Sequence, residues 1–300
     1  MANIESYDDF NIGSRIAGIV APWRDNRPRT VIVKRRLLGG ARPNVVCLPT
    51  KDLTRSVKVI SLAGRGLEFG LKTDSLGIDT APVQRHKRWM VRDLRKVHEG
   101  HAEASGAELI YGVARFVAPR TVGMESREVP RESSRTTGSF LDRAQQFPKC
   151  PPGRGCAHEA YRGLQLDRLP RRLIVLGCGY VGLQLSWAFR RFGSDMTVIE
   201  HGAQLASRET PDISTALNDL FVDEGIQVVL DATTPCVEGR SGDRVQVYIN
   251  DSRGDRAIEG TDLFVATYQK ANSDGIGLDK TGVQLYEGGH GYTNELEGIA

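Results

Sequence analysis

Leu169 to Glu200 reads LPRRLIVLGCGYVGLQLSWAFRRFGSDMTVIE. Leu173-Ile174-Val175-Leu176 is a short apolar run, the pattern of a parallel strand buried on both faces. Gly177-Cys178-Gly179-Tyr180-Val181-Gly182 follows at once and spells G-x-G-x-x-G. The next stretch predicts a helix with Leu183, Leu185, Ala188 and Phe189 inward, Arg190 and Arg191 in its last turn and Gly193 as its stop. Met196-Thr197-Val198-Ile199 reads as a second strand, and Glu200 stands at its end, 23 residues after Gly177.

Each residue type has a physical task. The first glycine permits a tight strand-to-helix turn, the second lets backbone approach a pyrophosphate, and the third lets helix and strand pack closely. A helix N-terminus offers free N–H groups and partial positive charge to phosphates. A carboxylate at Glu200 accepts hydrogen bonds from a ribose 2′-OH and repels a 2′-phosphate, which favours NAD over NADP. Glycines alone at this spacing also occur in ordinary turns. Strand, glycines, helix, stop and acid in this order predict a dinucleotide-binding unit.

Around this unit the totals are those of an ordinary globular protein: 300 residues, 40% hydrophobic and 26% charged. That length predicts about two domains with room for apolar cores. No apolar run approaches the roughly 18–20 residues that span a bilayer. With no signal-like opening, the expectation is a cytoplasmic protein. Cys47, Cys150, Cys156, Cys178 and Cys236 are odd in number and irregularly spaced, against a secreted disulfide framework. Cys150 and Cys156 have no matching second pair, and no metal site is expected. Residues 1–150 carry 26 Lys+Arg against 16 Asp+Glu, a net of +10, and the remainder is net −7. Those basic charges are dispersed and not interleaved with aromatics, so a solvated surface or a phosphate-bearing cofactor fits better than nucleic acid.

The N-terminal portion is a worn copy of the same unit. Gly13-Ser14-Arg15-Ile16-Ala17-Gly18 gives G-x-R-x-x-G, with Arg15 where the second glycine belongs. Pro22 interrupts the helix expected next, at about 3 kcal/mol for a helix interior. Thr30 to Val33 predicts a strand, which ends in Lys34-Arg35-Arg36 and not in an acid.

LLGGARPNVVCLPTK, residues 37–51, resembles the redox-active segment of the pyridine nucleotide-disulfide oxidoreductases, the family of dihydrolipoamide dehydrogenase, mercuric reductase and glutathione reductase, which reads roughly GGTCVNVGCVPSK. The likeness continues through Gly112 to Val117 and Pro119 to Val122, and through Thr136-Thr137-Gly138, similar to an ATG turn. It includes all of 169–200, then Phe264 to Tyr268 and Asn272 to Leu278, similar to VATG and PNTDGLGLE. The match is dense over 169–285 and patchy before that, and looks closest to the dihydrolipoamide dehydrogenase and mercuric reductase branch.

The resemblance implies an α/β protein with two Rossmann-like three-layer (ββα) domains, one for FAD and one for NAD(P). It implies FAD contacts at Gly13, Ser14, Gly18, Gly39, Gly40, Ala114, Thr137 and Gly138, and NAD contacts at Gly177, Gly179, Tyr180, Gly182, Gln184 and Glu200. In the family, electrons pass from nicotinamide through flavin to a disulfide. Cys47 matches the flavin-side cysteine and Lys51 a lysine beside the flavin, and these two are the catalytic candidates. The attacking cysteine maps onto Arg42, which cannot form a disulfide. The carboxylate that partners the lysine maps onto Gln184, which can hydrogen-bond it but lacks the charge. Tyr180 matches an aromatic that gates the nicotinamide pocket in some members, and plain packing explains it as well; Cys47 reads equally as a small buried thiol.

Further departures concern the backbone and the ends. Val33 and Lys34 take the place of the ribose-binding acid, and Tyr268 replaces a turn glycine. The family's second flavin motif and its interface domain, with an acid-base His–Glu pair and most of the dimer contact, would lie beyond Ala300. None of the histidines has a matching context, and His201 is expected beside the adenosine.

The expected organisation is a degenerate FAD-type domain at 1–150, a linker at 151–168, an NAD(P) domain at 169–270 and an incomplete return at 271–300. His86 to Ala107 predicts a long surface helix, Asp212 to Glu224 a helix, Ile226 to Leu230 a strand, and Val245 to Ile249 a small antiparallel sheet. Residues 123–160 look least foldable, because Ser126 to Thr137 is polar where the family has an apolar strand. The expected function is an FAD-dependent NAD(P)H oxidoreductase that prefers NAD(H), lacks a complete redox disulfide, and delivers electrons to a small-molecule acceptor. The alternative is a catalytically inactive NAD-binding remnant. Neither nucleic acid nor membrane is an expected partner.

Overall fold

A computed structural model describes residues 4–14, 29–35, 37–44, 47–72, 78–126, 130–141, 145–146, 158–159, 168–267, 270–271, 274–283, 285–286 and 290–291. Arg15, Gly18, Pro22, Arg36, Cys150, Cys156 and Tyr268 lie outside the described residues, as does most of 151–168. The chain forms two compact units, Met1–Cys47 with Met90–Gln146 and Lys270–Ala300, and Leu48–Trp89 with Phe147–Gln269.

In the first unit, β1 (Ile4–Ile12) runs parallel to β2 (Thr30–Lys34). A short helix α1 (Ala41–Asn44) follows, then α2 (Cys47–Gly64), which enters the second unit, and α3 (Thr80–Ala104), which returns from it. β3 (Glu108–Ala118) pairs in parallel with β2, then antiparallel with β4 (Thr121–Ser126). β5 (Pro130–Leu141) pairs antiparallel with β4 through Pro130 to Arg135 and parallel with β1 from Ser133 onward, so the five strands close into a ring, and the short β6 (Gln145–Gln146) follows.

One face of these strands is apolar: Phe10, Val31, Val33, Ile110, Ala114, Phe116, Val122 and Met124 are buried together with Leu278. Because side chains alternate along a strand, the other face carries Asp9, Asn11, Thr30, Ile32 and Lys34, and these too are buried. Asn11 is fully buried, and neither end of its carboxamide has a hydrogen-bond partner among the described residues.

The expectation that 126–137 resists folding is corrected by β5. A polar stretch joins a ladder because the bonds that hold it are backbone N–H and C=O groups, present whatever the side chains are. Thr137 and Gly138 accordingly lie within the strand, Gly138 opposite Asp9, and not in a turn.

In the second unit, a five-stranded parallel sheet has the order β10-β9-β8-β14-β7, from β7 (His158–Glu159), β8 (Arg172–Leu176), β9 (Asp195–Ile199), β10 (Gln227–Val229) and β14 (Asp262–Val265). β8 is central and buried on both faces, which is why its sequence is a continuous apolar run. Leu173 and Val175 pack under α4 (Tyr180–Arg191) and α5 (Pro211–Asp223), with Leu185, Ala188, Phe189 and Phe221. Leu53 and Val57 of α2 join this cluster. Ile174 and Leu176 face Val237, Val245, Val247, Ile249 and Ile258 of an antiparallel sheet. That sheet is β11 (Thr233–Arg240), β12 (Arg244–Asp251) and β13 (Gly254–Gly260).

The three layers are therefore helices, parallel sheet and antiparallel sheet. Buried Asp262 at the start of β14 accepts from Arg168 Nη2 at 3.0 and 3.2 Å and from Thr261 Oγ1 at 2.8 Å. Among the described residues no helix is long and apolar enough to cross a membrane.

Candidate nucleotide sites

The loop after β8 is built by its glycines. Gly177 has φ +97°, and a Cβ there would lie 2.8 Å from the backbone of Ala266 and Thr267 at the end of β14. Gly182 sits in the first turn of α4, where a Cβ would be 2.1 Å from the Gly177 carbonyl oxygen. Both positions exclude a side chain because neighbouring backbone occupies the space. Gly179 differs: its φ of −68° suits any residue, and nothing lies within 4 Å of an added Cβ. Gly179 caps α4 without a side-chain bond, and the first helical bond runs from Leu183 N–H to Gly179 C=O at 3.0 Å. The N–H groups from Gly179 to Gly182 have no backbone partner among the described residues, and the space beside Gly179 is open. Open space in front of free N–H groups at the positive end of a helix fits a pyrophosphate.

Glu200 is half-buried and anchors this loop. Its Oε2 accepts the Cys178 N–H at 2.6 Å and its Oε1 the Gly202 N–H at 3.2 Å. The carboxylate stands at the strand end beside the loop, where a ribose diol would compete for its outer lone pairs. Cys178 is buried, and burial, with Glu200 adding to it, drives its thiol far above the usual thiol range.

Tyr180 is exposed, and its hydroxyl donates to Glu209 Oε1, which raises the tyrosine's pKa. This tie holds Tyr180 against the segment after Glu200, and Ala206 N–H donates to Cys178 C=O at 3.2 Å in the same segment. No motif position flags Glu209; only the folded 201–210 segment brings it to the loop. His201 is exposed.

Cys47 is the first residue of α2, half-buried, with a free thiol, and Lys51 is exposed one turn later. Gln184 is half-buried on α4, and no hydrogen bond joins it to Lys51 among the described residues. Arg42 lies in α1, and its side chain is outside the described residues.

In the first unit Gly13 has φ +109° and its N–H donates to Val33 C=O at 2.8 Å. Ser14 is buried, its hydroxyl 3.4 Å from Leu37 C=O. Gly39 and Gly40 have φ +84° and +65°. A Cβ on Gly39 would lie 2.6 Å from Pro43 Cγ and 3.1 Å from His98 Cδ2. Asn44, unremarked in the sequence, clamps this turn: its Nδ2 donates to Leu38 C=O at 2.6 Å and Gly40 C=O at 2.8 Å, while its Oδ1 accepts from Arg95. Ala114 lies in the buried apolar face of β3.

Lys34 ends β2, 3% exposed, with its ammonium 4.0 Å above the Tyr111 ring. Burial lowers its pKa to about 8, against the pull of Glu99 and with the push of Arg95. The turns at Gly13 and Gly39-Gly40 fit the backbone approach that a dinucleotide's phosphates need. Lys34 thus puts a donor where the family resemblance places a ribose-binding acceptor.

The pyridine nucleotide-disulphide oxidoreductase family profile matches residues 12–296. The chain is 28% identical over 296 residues to mercuric reductase of Staphylococcus aureus, covering 96% of this chain and 53% of that protein. It is also 28% identical over 294 residues to dihydrolipoyl dehydrogenase of Chlamydia muridarum, covering 95% of this chain and 61% of that one. Among solved structures, the HOCl-induced flavoprotein disulfide reductase RclA of Escherichia coli superposes with a TM-score of 0.81 at 21% identity, over 96% of this chain and 62% of that one. The chain thus spans about half to three-fifths of the length of these relatives. Two glycine turns, each at the end of a parallel strand, with a profile match over nearly the whole length, make this chain a member of the pyridine nucleotide-disulphide oxidoreductase family.

Proposed function

We propose that this chain is a flavin-dependent NAD(P)H oxidoreductase that prefers NADH and passes electrons to a small acceptor such as a quinone or dye, not to a disulfide. The observation that carries it is the open cradle at Gly179, whose N–H groups have no backbone partner among the described residues, and the Glu200 carboxylate at the neighbouring strand end. Gly179 to Gly182 would hold the pyrophosphate of NADH, and Glu200 would accept from the ribose diol and repel a 2′-phosphate. Gly13, Ser14, Gly39 and Gly40 would hold the flavin nucleotide, with Ala114, Thr137 and Gly138 further along its path. A bound flavin supplies a two-electron acceptor that releases electrons singly or in pairs. Cys47 and Lys51, one turn apart on α2, are the residues assigned to flank it. With Arg42 in place of a second cysteine, no two-thiol cycle operates, because a guanidinium neither forms a disulfide nor attacks one.

A second reading, a nucleotide-binding protein without turnover, is favoured by Arg15 and Pro22, which stand in the first glycine motif and in the helix expected after it. The two separate in one assay. The chain supplied with FAD should oxidise NADH with a soluble quinone and leave lipoamide and aromatic disulfides unreduced. Disulfide reduction at a comparable rate would contradict the acceptor assignment, and no NADH oxidation with any acceptor would leave the second reading.

A further inference from the structure

Tyr180 is the first residue of α4 and directly follows Gly179, so its side chain leaves the helix beside the pyrophosphate cradle. The residue is 61% exposed, yet its ring is tied: the hydroxyl donates to Glu209 Oε1. Glu209 comes just before Thr210, the N-cap of α5, and its own backbone is fixed twice. Its N–H donates to Ala206 C=O at 2.8 Å, and its C=O accepts from Gln204 Nε2 at 3.2 Å.

The sheet sets the direction of this tie. β9 lies on one side of β8 and β14 on the other. Segment 201–210 leaves β9 at Glu200, and its middle packs beside α4, with Leu205 fully buried and Ala206 N–H bonded to Cys178 C=O at 3.2 Å. Tyr180 is therefore drawn to the β9 side of the loop, the side on which Glu200 stands. A dinucleotide whose adenosine ribose meets the acid after the second strand, and whose pyrophosphate lies on the helix N-terminus, has its adenosine on that side. Its nicotinamide half runs away from it.

We infer that Tyr180 is a wall of the adenosine subsite that packs on the adenine ring, and that Glu209 is the positioning residue that holds it there. An exposed ring tied at its hydroxyl keeps its apolar faces for contact and has little rotamer freedom left to lose on binding. Charge works in the opposite sense, since the Glu209 carboxylate repels phosphates, and Arg208, close enough for its charge to act on Tyr180, counters it. The tie, and not the charge, is what Glu209 contributes. The inference rests on the second unit holding NADH as proposed above, and is independent of the flavin and of the electron acceptor.

The test measures NADH binding to the full chain by nucleotide fluorescence, and ADP-ribose binding by displacement of that NADH. ADP-ribose keeps the adenosine and pyrophosphate and lacks the nicotinamide. Tyr180→Ala should weaken both ligands by the same factor, about tenfold, within the range for a base stacked on an aromatic ring. Glu209→Ala should bind both about threefold more weakly than Glu209→Gln, because the untied ring spreads over its staggered wells and only a fraction of the chains is competent. Both substitutions are neutral and only glutamine keeps an acceptor for the hydroxyl, so charge does not enter the comparison. In the Tyr180→Ala background the difference between alanine and glutamine at 209 should vanish, which a merely structural role of Glu209 would not produce. Thermal unfolding reports that each variant is folded. Loss of NADH affinity alone in Tyr180→Ala would place the ring on the nicotinamide and overturn the inference, as would unchanged binding of both ligands or an alanine–glutamine difference that survives without the ring. A parent chain that binds neither ligand would overturn the NADH reading of the second unit together with this inference.

Discussion

Gly179→Ala and Gly182→Ala add the same methyl group three residues apart, and the structure assigns them opposite consequences. At Gly182 the new Cβ would sit 2.1 Å from the Gly177 carbonyl oxygen and 3.4 Å from Ala266 Cβ. Backbone cannot step aside like a flexible side chain, so α4 must shift by about an ångström, at the roughly 1–3 kcal/mol typical of overpacking. Better helix propensity returns up to about 1 kcal/mol. Because the obstructing atom is backbone, the cost falls at about 2–3 kcal/mol and the net loss at about 1–2 kcal/mol, or roughly 2–8 °C in Tm for a unit of this size. At Gly179 the Cβ meets no atom within 4 Å and the backbone is already extended. Alanine is a poorer N-cap than glycine, but it also restricts the unfolded chain by about 0.4–1 kcal/mol, so stability changes by less than about 1 kcal/mol. The methyl nevertheless fills the space for the pyrophosphate, and NADH affinity should fall at least tenfold. Thermal unfolding with and without NADH, with fluorescence titration of the nucleotide, reads both effects. Gly179→Ala that keeps parental NADH affinity, or Gly182→Ala that leaves Tm unchanged, would refute the assignment of separate roles.

Three other outcomes follow from the same geometry. Glu200→Gln keeps an oxygen for the Cys178 or Gly202 N–H but removes the charge; the NADH-over-NADPH affinity ratio should drop about tenfold, with about 1 kcal/mol lost from weakened charge-assisted bonds. Cys178, whose thiol is held protonated by burial and by Glu200, should resist iodoacetamide at pH 8 until the chain unfolds, whereas half-buried Cys47 is labelled in the native state. Lys34 is lowered from 10.5 to about 8 in the folded state, so the unfolded chain binds more protons between those values and stability should rise as pH rises through that window. Denaturant titrations from pH 7.5 to 10 should lose that component of the slope in Lys34→Met; an unchanged slope would show that Lys34 is not desolvated.

The second unit was legible because its signals are local. Apolar run, glycines, amphipathic helix and acid lie within 32 residues, and each maps onto an element that pairs or packs with its neighbour, β8, the loop, α4 and β9. The long helix α3 and the antiparallel β12 were legible from periodicity alone, Val245, Val247 and Ile249 being the buried positions. β5 was not, because hydropathy measures side chains while its ladder is backbone. The packing of Leu53 and Val57 against Leu173 and Leu185 was invisible for another reason: no pattern within α2 says which distant strand it will cover. Asn44 and Glu209 were missed because a clamp or a tie is defined by what folds next to it. Lys34 was noticed as a departure, but its burial and its ring partner Tyr111, 77 residues away, come only from the strand register.

The most direct test of the central claim is flavin reconstitution followed by anaerobic NADH addition. The chain is incubated with FAD, freed of excess, and its visible spectrum recorded before and after one equivalent of NADH. The account predicts a bound flavin that bleaches with NADH in the parent and bleaches much more slowly at the same NADH concentration in Gly179→Ala. A chain that retains no flavin, or a bound flavin that NADH does not bleach, would contradict it.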